Sequence, residues 1–325
     1  MNKLFVGNSL EILKTFEDNY IDCVVTSPPY WNLRKYDAPD GDYGDWKGQL
    51  GLEKDFNQYL DHLVNIFKEI KRVIKPTGTI WINIGDTYGR GMSGKMFPTH
   101  KFSEGANKSL DFVQSSFHVN KSLCMIPQRL AIRLIDELGL VLRNQIIWHK
   151  PNGLPSSATD RFTNNYELMY FFVKSDKYYF DMIYEPFAES TFKRVHNFID
   201  NNEKYDPSKH KGNINSGGQS PMQILENISK TIFVSQGKHK TCIWSIPTAN
   251  SHDAHFAVFP EQLAEIPISV GCPKGGIVLD PFCGSGTTGV VAKKLGRDFW
   301  GIDISSVYVK MSDKNCKKLQ HKVII

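Results

Sequence analysis

The chain has 325 residues with a net charge of +5 at pH 7, of which 41% are hydrophobic and 22% charged. That content can bury one large core within the ordinary globular range, and the mild basic bias permits a polyanionic partner without demanding one. No run of the ~20 apolar residues needed to cross a membrane occurs, and the opening MNKLFVGNSLEILK has no long apolar stretch, so a soluble cytoplasmic protein is expected.

Taken in chain order, Ile21 to Val25 is a short, largely β-branched run stopped by Pro28 and Pro29. Proline cannot donate to a sheet ladder, so a strand is expected to end at Thr26 or Ser27. Leu60, Leu63, Val64, Phe67, Ile70 and Ile74 recur at helical spacing, Lys75-Pro76-Thr77-Gly78 breaks the pattern, and GTIWINIGD follows as a strand. From about Gly89 to Asn120 the composition turns polar. A second helix opens at Pro127 and runs through Leu130, Leu134, Ile135 and Leu138 to Gly139, followed by the extended LVLRNQIIWHK. YELMYFFVKSDKYYFD reads as two strands joined around Lys174-Ser175-Asp176. Beyond Asp181 the stretch NNEKYDPSKHKGNINSGGQSP is rich in Gly, Ser and Asn, as a long loop or mobile insert would be.

Regular structure returns in GGIVLDPFCGSGTTGVVAKKLGRDFWGIDIS. Gly276 to Leu279 reads as a strand, Gly284 and Gly286 as a turn, Thr287 to Leu295 as a helix and Phe299 to Ile302 as a further strand. The alternation predicts an α/β fold with a doubly wound, mostly parallel sheet, and no repeat of fixed period is present. The cysteines Cys23, Cys124, Cys242, Cys272, Cys283 and Cys316 lack CxxC pairing, which favours reduced thiols over a zinc site or disulfide framework, and no metal is expected.

A strand feeding a glycine-rich turn and a helix N-terminus presents backbone N–H groups and a positive dipole end to a ligand. The string DPFCGSG, with Asp303 closing the next strand, resembles the cofactor loop of methyltransferases that use S-adenosylmethionine. GSGTTG also fits the GxGxxG of dinucleotide folds, so this motif alone leaves a nicotinamide cofactor open.

The earlier segment VVTSPPY decides between them. It resembles the catalytic signature of amino-methylating DNA methyltransferases, in the Thr-Ser-Pro-Pro-Tyr form associated with the exocyclic amine of cytosine; adenine-specific relatives more often carry Asp or Asn in place of Ser27. An exocyclic amine is a poor nucleophile because its lone pair is delocalised into the ring, and acceptors on its two hydrogens favour a more reactive nitrogen. The Ser27 hydroxyl and the Pro28 carbonyl are the expected acceptors. Pro28 and Pro29 hold the backbone with fixed φ, and Tyr30 supplies a flat face for an extruded base.

The resemblance extends along most of the chain. LFVGNSLEILK matches the segment before the catalytic strand, with Asn8 where the family usually has Asp. SHDAHFAVFPEQL matches the block before the cofactor loop through His255, Ala257, Phe259 and Pro260. IIWHKPNGLPSSATDRFTNNYELMYFFVK matches the region that shapes the target-base pocket, with Trp148, Lys150, Arg161 and Glu167 in corresponding places. The cofactor contacts implied are Asp280, Phe282, Gly284, Ser285, Gly286, Thr287, Thr288, Asp303, His255, Phe259 and Asn8. With the catalytic segment ahead of the cofactor loop, the order is that of the permuted beta class. It implies a catalytic half over 1–180, a target-recognition insert over 181–240 and a cofactor half over 241–325.

In the insert, Lys193, Arg194, Lys204, Lys209, Lys211 and Lys238 are candidates for phosphate contacts, although Glu185, Glu189, Glu203 and Asp206 are mixed among them as on an ordinary solvated surface. No cysteine follows a proline as in ring-carbon cytosine methyltransferases, so covalent thiol catalysis is not expected. The resemblance therefore implies a site-specific methyltransferase acting on cytosine N4 in double-stranded DNA by base flipping, with a restriction endonuclease as functional partner. An N6-adenine enzyme of the same fold is the alternative, a protein- or RNA-methylating enzyme a more distant one. A DNA-binding module with an inactive cofactor pocket is the non-enzyme alternative.

Overall fold

In the computed structural model, which describes residues 2–36, 38–89, 119–153, 155–186, 237–248 and 259–318, the chain opens with β1 (Lys3–Val6), α1 (Ser9–Lys14) and β2 (Ile21–Thr26). Two short strands, β3 (Gly41–Asp42) and β4 (Lys47–Gly48), lead into α2 (Phe56–Val73), β5 (Ile74–Ile84), α3 (Ile126–Asp136), β6 (Val141–His149) and β7 (Tyr166–Val173). After β8 (Tyr184–Glu185), β9 (Lys238–His239) and β10 (Ile243–Ser245) come α4 (Glu261–Gly271), β11 (Ile277–Asp280), α5 (Thr287–Lys294), β12 (Asp298–Asp303) and α6 (Ser306–Lys317).

The chain separates into two compact units, residues 1–181 with 242–325, and residues 182–241. The first contains an eight-stranded sheet in the order β1-β12-β11-β2-β5-β7-β6-β10. Only β7 runs against its neighbours, so the expected mostly parallel, doubly wound architecture is present. From β11 the chain winds to β12, whereas from β2 it winds the other way, through α2 to β5. The two windings diverge between β2 and β11, and in open α/β sheets the crevice beyond the carboxyl ends of strands at such a switch point is where ligands bind.

Side-chain alternation assigns the two faces. Ile80, Ile82 and Ile84 of β5 join the core formed with α2 and α3, where Tyr59, Leu63, Phe67 and Ile70 are buried at helical spacing. Trp81 points the other way, lying parallel to Phe171 with ring centroids 4.0 Å apart, and donates to Thr79, whose hydroxyl reaches the Gly271 carbonyl of α4. The helix over α2 begins at Asp55, whose carboxylate accepts from the Asn57 amide at 2.8 Å.

Two sequence expectations change. Ile74 belongs to β5, not to the preceding helix; Lys75 to Gly78 are looped out as a bulge between the Ile21–Ile74 and Cys23–Thr79 pairs, with Lys75 bonded to Asp22 at 2.7 Å. The second strand expected after Asp176 is absent. Tyr178 and Phe180 pack on Phe171, and the backbone amides of Tyr179 and Asp181 donate to Thr77 and Val270, so tertiary partners take the place of a ladder.

The described part of the second unit is the antiparallel pair β8–β9, in which Glu185 pairs with Lys238 at 3.9 Å and Lys240 at 2.8 Å. The polar stretch 90–118 and the basic residues Lys193, Arg194, Lys204, Lys209 and Lys211 lie outside the described residues. No helix among the described residues is long and apolar enough to cross a membrane, and no cluster of His, Cys, Asp or Glu there could hold a metal.

Candidate active site

The carboxyl ends of β2 and β11 lie side by side, with Val24 opposite Leu279. A three-residue stitch joins them. Asp280, 4% exposed, accepts from Thr26 Oγ1 and Thr288 Oγ1, each at 2.7 Å, and from the Phe282 amide at 3.1 Å. Burial pushes its carboxyl up from 3.8 to about 6, against the pull of these donors, and the Asp303 charge adds to the rise. Asp280 and Thr288 thus hold β2, the glycine turn and the start of α5 in register.

Each glycine of GSGTTG has its own reason to be glycine. Gly284 and Gly286 have φ of +49° and +88°, in the left-handed region. A Cβ on Gly286 would lie 2.2 Å from Ser312 Oγ, and one on Gly289 would lie 2.4 Å from the Phe299 ring, so these two close the packing of α5 on α6 and β12. The Gly284 amide donates to Asp303 Oδ2 at 3.0 Å and the Ser305 amide to Oδ1 at 2.8 Å. Burial raises the Asp303 carboxyl above its ordinary value. Each of its oxygens keeps a lone pair for a further donor.

A cavity of about 480 Å³ lies over this switch point. Phe282, Gly284, Ser285, Thr287 and Asp303 form one wall, and Ser27, Pro28, Pro29 and Tyr30 another. Thr288 and Asp280 reach the same cavity, as does Phe259. The residues fit S-adenosylmethionine: a side-chain-free turn at Gly284, an acidic residue at the end of the following strand, and apolar surface from Phe259, Phe282 and Ile304 for a heterocycle.

The Ser-Pro-Pro-Tyr segment is held from behind. Tyr59 of α2 donates its hydroxyl to the Pro29 carbonyl at 2.7 Å, and Gly51, at φ +93°, packs so closely that a Cβ there would lie 2.8 Å from the Tyr30 carbonyl oxygen. Trp31 Nε1 donates to the Glu53 carbonyl at 2.9 Å. The Pro28 carbonyl takes part in none of the described turn or loop hydrogen bonds. Ser27 Oγ stands 3.4 Å from both Tyr30 Oη and Asn83 Oδ1, a separation at which neither bond is strong.

Tyr30, expected to offer a flat face, lines the cavity with its ring and hydroxyl both held. Its ring lies over Gly85, where a Cβ would come within 2.5 Å, and its hydroxyl donates to Glu167 Oε2 at 2.7 Å and lies 3.1 Å from Asn83 Oδ1. Burial, then the Glu167 charge, pushes that hydroxyl well above its ordinary pKa, so it acts as a donor. Glu167 also accepts from Asn83 Nδ2 at 3.2 Å and from Lys150, whose ammonium lies 4.5 Å from the Trp148 ring centroid. Trp148, Lys150 and Glu167 therefore enter the cavity as the sequence implied.

Three expected residues are used otherwise. Asn8 lines the cavity, but its oxygen caps α1 by accepting from Leu10 N at 2.8 Å and its amide donates to the Asp42 carbonyl at 3.0 Å. Arg161 stands off the cavity wall, its guanidinium stacked on Tyr88 at 4.0 Å. Gly286 faces Ser312 instead of the cavity. His255 lies outside the described residues. Sequence reasoning missed Asn83 and the 31–50 loop, whose Gln49 ties down the Tyr36 and Ala38 carbonyls at 3.0 and 2.7 Å. A lone amide in the apolar run IWINI was the available signal for Asn83.

A family model described as DNA methylase matches residues 21–314. The Type II methyltransferase M.SmaI of Serratia marcescens is 34% identical over 95% of this chain and 89% of its own length. M.Cfr9I of Citrobacter freundii is 34% identical over 95% of this chain and 85% of its own. Among solved structures, PvuII DNA methyltransferase (cytosine-N4-specific) has a TM-score of 0.61 at 20% identity, covering 96% of this chain and 85% of that one. A Thermus thermophilus protein complexed with S-adenosyl-L-methionine has a TM-score of 0.57 at 21% identity, covering 99% of this chain and 96% of that one. Those two likenesses establish the fold, while the family match spans nearly the whole chain and includes both walls of the cavity. The protein belongs to the N6/N4 DNA methylase family and is an S-adenosylmethionine-dependent DNA methyltransferase.

Proposed function

We propose that the protein methylates the N4 amine of a cytosine flipped out of duplex DNA at a specific sequence. The observation that carries this reading is that Ser27 and Pro28 share one cavity with the Gly284–Asp303 cofactor wall. S-adenosylmethionine, when bound, supplies an electrophilic methyl group on a sulfonium. The residues of this chain do the rest. Phe282, Gly284, Ser285, Thr287, Asp303 and Phe259 hold the cofactor, while Asp280 and Thr288 brace that wall and Asn8 sets the α1 end of it.

Ser27 Oγ and the Pro28 carbonyl accept the two amine hydrogens and turn the nitrogen lone pair toward the methyl group. Tyr30 and Pro29 shape the base pocket, and the Glu167 bonds from Tyr30, Asn83 and Lys150 keep it rigid. The amine, once methylated, would carry a surplus proton, which would leave to solvent. Positioning supplies most of the acceleration.

Ser27 in place of Asp or Asn supports cytosine over adenine, as does the cytosine-N4 specificity of the PvuII enzyme, which has a similar fold. Relatives that are Type II methyltransferases support pairing with a cognate restriction endonuclease. We assign 1–180 as the catalytic half, 181–240 as the target-recognition insert, with Lys238 among its phosphate-contacting candidates, and 241–325 as the cofactor half.

Incubation with methyl-labelled cofactor and mixed-sequence DNA, followed by nucleoside analysis and mapping, tests the reading. N4-methylcytosine at one sequence is expected; N6-methyladenine alone would overturn the choice of base.

A further inference from the structure

The loop between β6 and β7 carries a side chain that the reaction above leaves unused. Phe162 is 94% exposed, the most exposed large apolar side chain among the described residues. A ring so placed contributes nothing to the core. Its mount, however, is fixed. The neighbouring Arg161 stacks on Tyr88 at 4.0 Å and donates to its hydroxyl at 3.2 Å. Asn164 donates to the same hydroxyl at 3.2 Å, and Asp160 pairs with Lys121 at 2.6 Å. Residues on both sides of Phe162 are tied down while the ring faces solvent.

The same loop is rooted at the active site. The Lys150 amide donates to the Asn165 carbonyl at 2.7 Å, and Lys150 and Glu167 both line the cavity. Phe162 stands three positions before Asn165, so their Cα atoms are at most about 11 Å apart.

We propose that Phe162 is a wedge that enters the base stack of duplex DNA where the target base has left it. The inference rests on the proposed base-flipping reaction. A base leaving the duplex forfeits stacking and pairing, and an apolar side chain inserted between base steps restores part of the stacking. A phenylalanine whose neighbours are held by Tyr88 and Lys121, in a loop bonded at Asn165 to the cavity residue Lys150, has the chemistry and the place for that role, and a flexible tether would forgo much of the gain to ordering.

The test compares wild type, Phe162→Ala and Phe162→Trp on two duplexes carrying the site mapped above, one fully paired and one with an abasic position opposite the target base. Phe162→Ala is expected to lose about ten- to a hundredfold in single-turnover methylation of the paired duplex. It recovers most of that loss on the abasic duplex, where no pair must break, and Phe162→Trp stays near wild type. With 2-aminopurine beside the target base, the fluorescence rise on binding shrinks for the alanine variant. Equal rates for wild type and Phe162→Ala on paired DNA, or an equal loss on both duplexes, would overturn the proposal. So would a loss explained by altered sedimentation, which would make the ring a contact between copies of this chain. Failure of the base assignment is separable, because it is read from the wild-type product alone.

Discussion

Asp280→Asn isolates the cost of the buried carboxylate at the switch point. The rise from 3.8 to about 6 corresponds to about 3 kcal/mol of unfavourable free energy in the folded state once the group is ionised. Because the folded pKa lies above the unfolded one, the folded protein binds more protons between these values, and its stability falls as pH rises through that window. Asparagine keeps the stitch: its oxygen accepts from Thr26 and Phe282 N, and its amide donates to Thr288 Oγ1. In urea unfolding of the cofactor-free proteins from about pH 4.5 to 7.5, the stability of the variant relative to wild type should grow by about 2 kcal/mol. The cavity-lining carboxylate also favours a cationic sulfonium. Cofactor affinity of the wild type should therefore weaken as pH drops below about 6, and that of the variant should weaken less, through Asp303 alone. A stability difference independent of pH would refute the assignment of this charge as the strained group.

Ser27→Ala should lower single-turnover methyl transfer by about ten- to a hundredfold with cofactor affinity unchanged, since one acceptor to the amine is lost; equal activity would remove Ser27 from the mechanism. Gly286→Ala should cost about 2 kcal/mol or more in urea unfolding, because a Cβ meets Ser312 at 2.2 Å in a left-handed backbone, whereas Gly284→Ala, with nothing within 4 Å, should cost about 1 kcal/mol. His62, 2% exposed, bonds Glu53 Oε1 at 2.8 Å and Asp45 Oδ1 at 2.9 Å; burial pulls its pKa down, but the two carboxylates outweigh it and raise it above 6.5. His62→Gln should therefore cost about 3 kcal/mol below pH 6.5, where the imidazolium pairs with buried Glu53, and the loss should shrink as pH rises past the folded pKa. A loss that grows with pH would invert that reasoning.

Local chemistry alone made several parts of the site readable. A β-branched run ended by two prolines must be a strand end, and β2 stops at Thr26. GSGTTG after an apolar strand must be a glycine turn entering a helix, and its left-handed φ values at Gly284 and Gly286 bear this out. Alternating elements implied the parallel sheet. Where long-range partners decide, the sequence misled: Tyr178 to Asp181 alternates like a strand, yet carbonyls of Thr77 and Val270 claim its amides. Tyr30 was legible as a flat ring at the strand end, but not that Glu167, 137 residues away, fixes it through its hydroxyl.

The sequence by itself determined two chemical devices, an acceptor-bearing strand end and a cradle for a cofactor, because each is built from consecutive residues with restricted backbone geometry. Only the tertiary structure decided that they face each other. Thr26 and Asp280 are 254 residues apart and bond at 2.7 Å because the chain winds away from β2 and β11 in opposite directions, leaving their carboxyl ends together at one crevice.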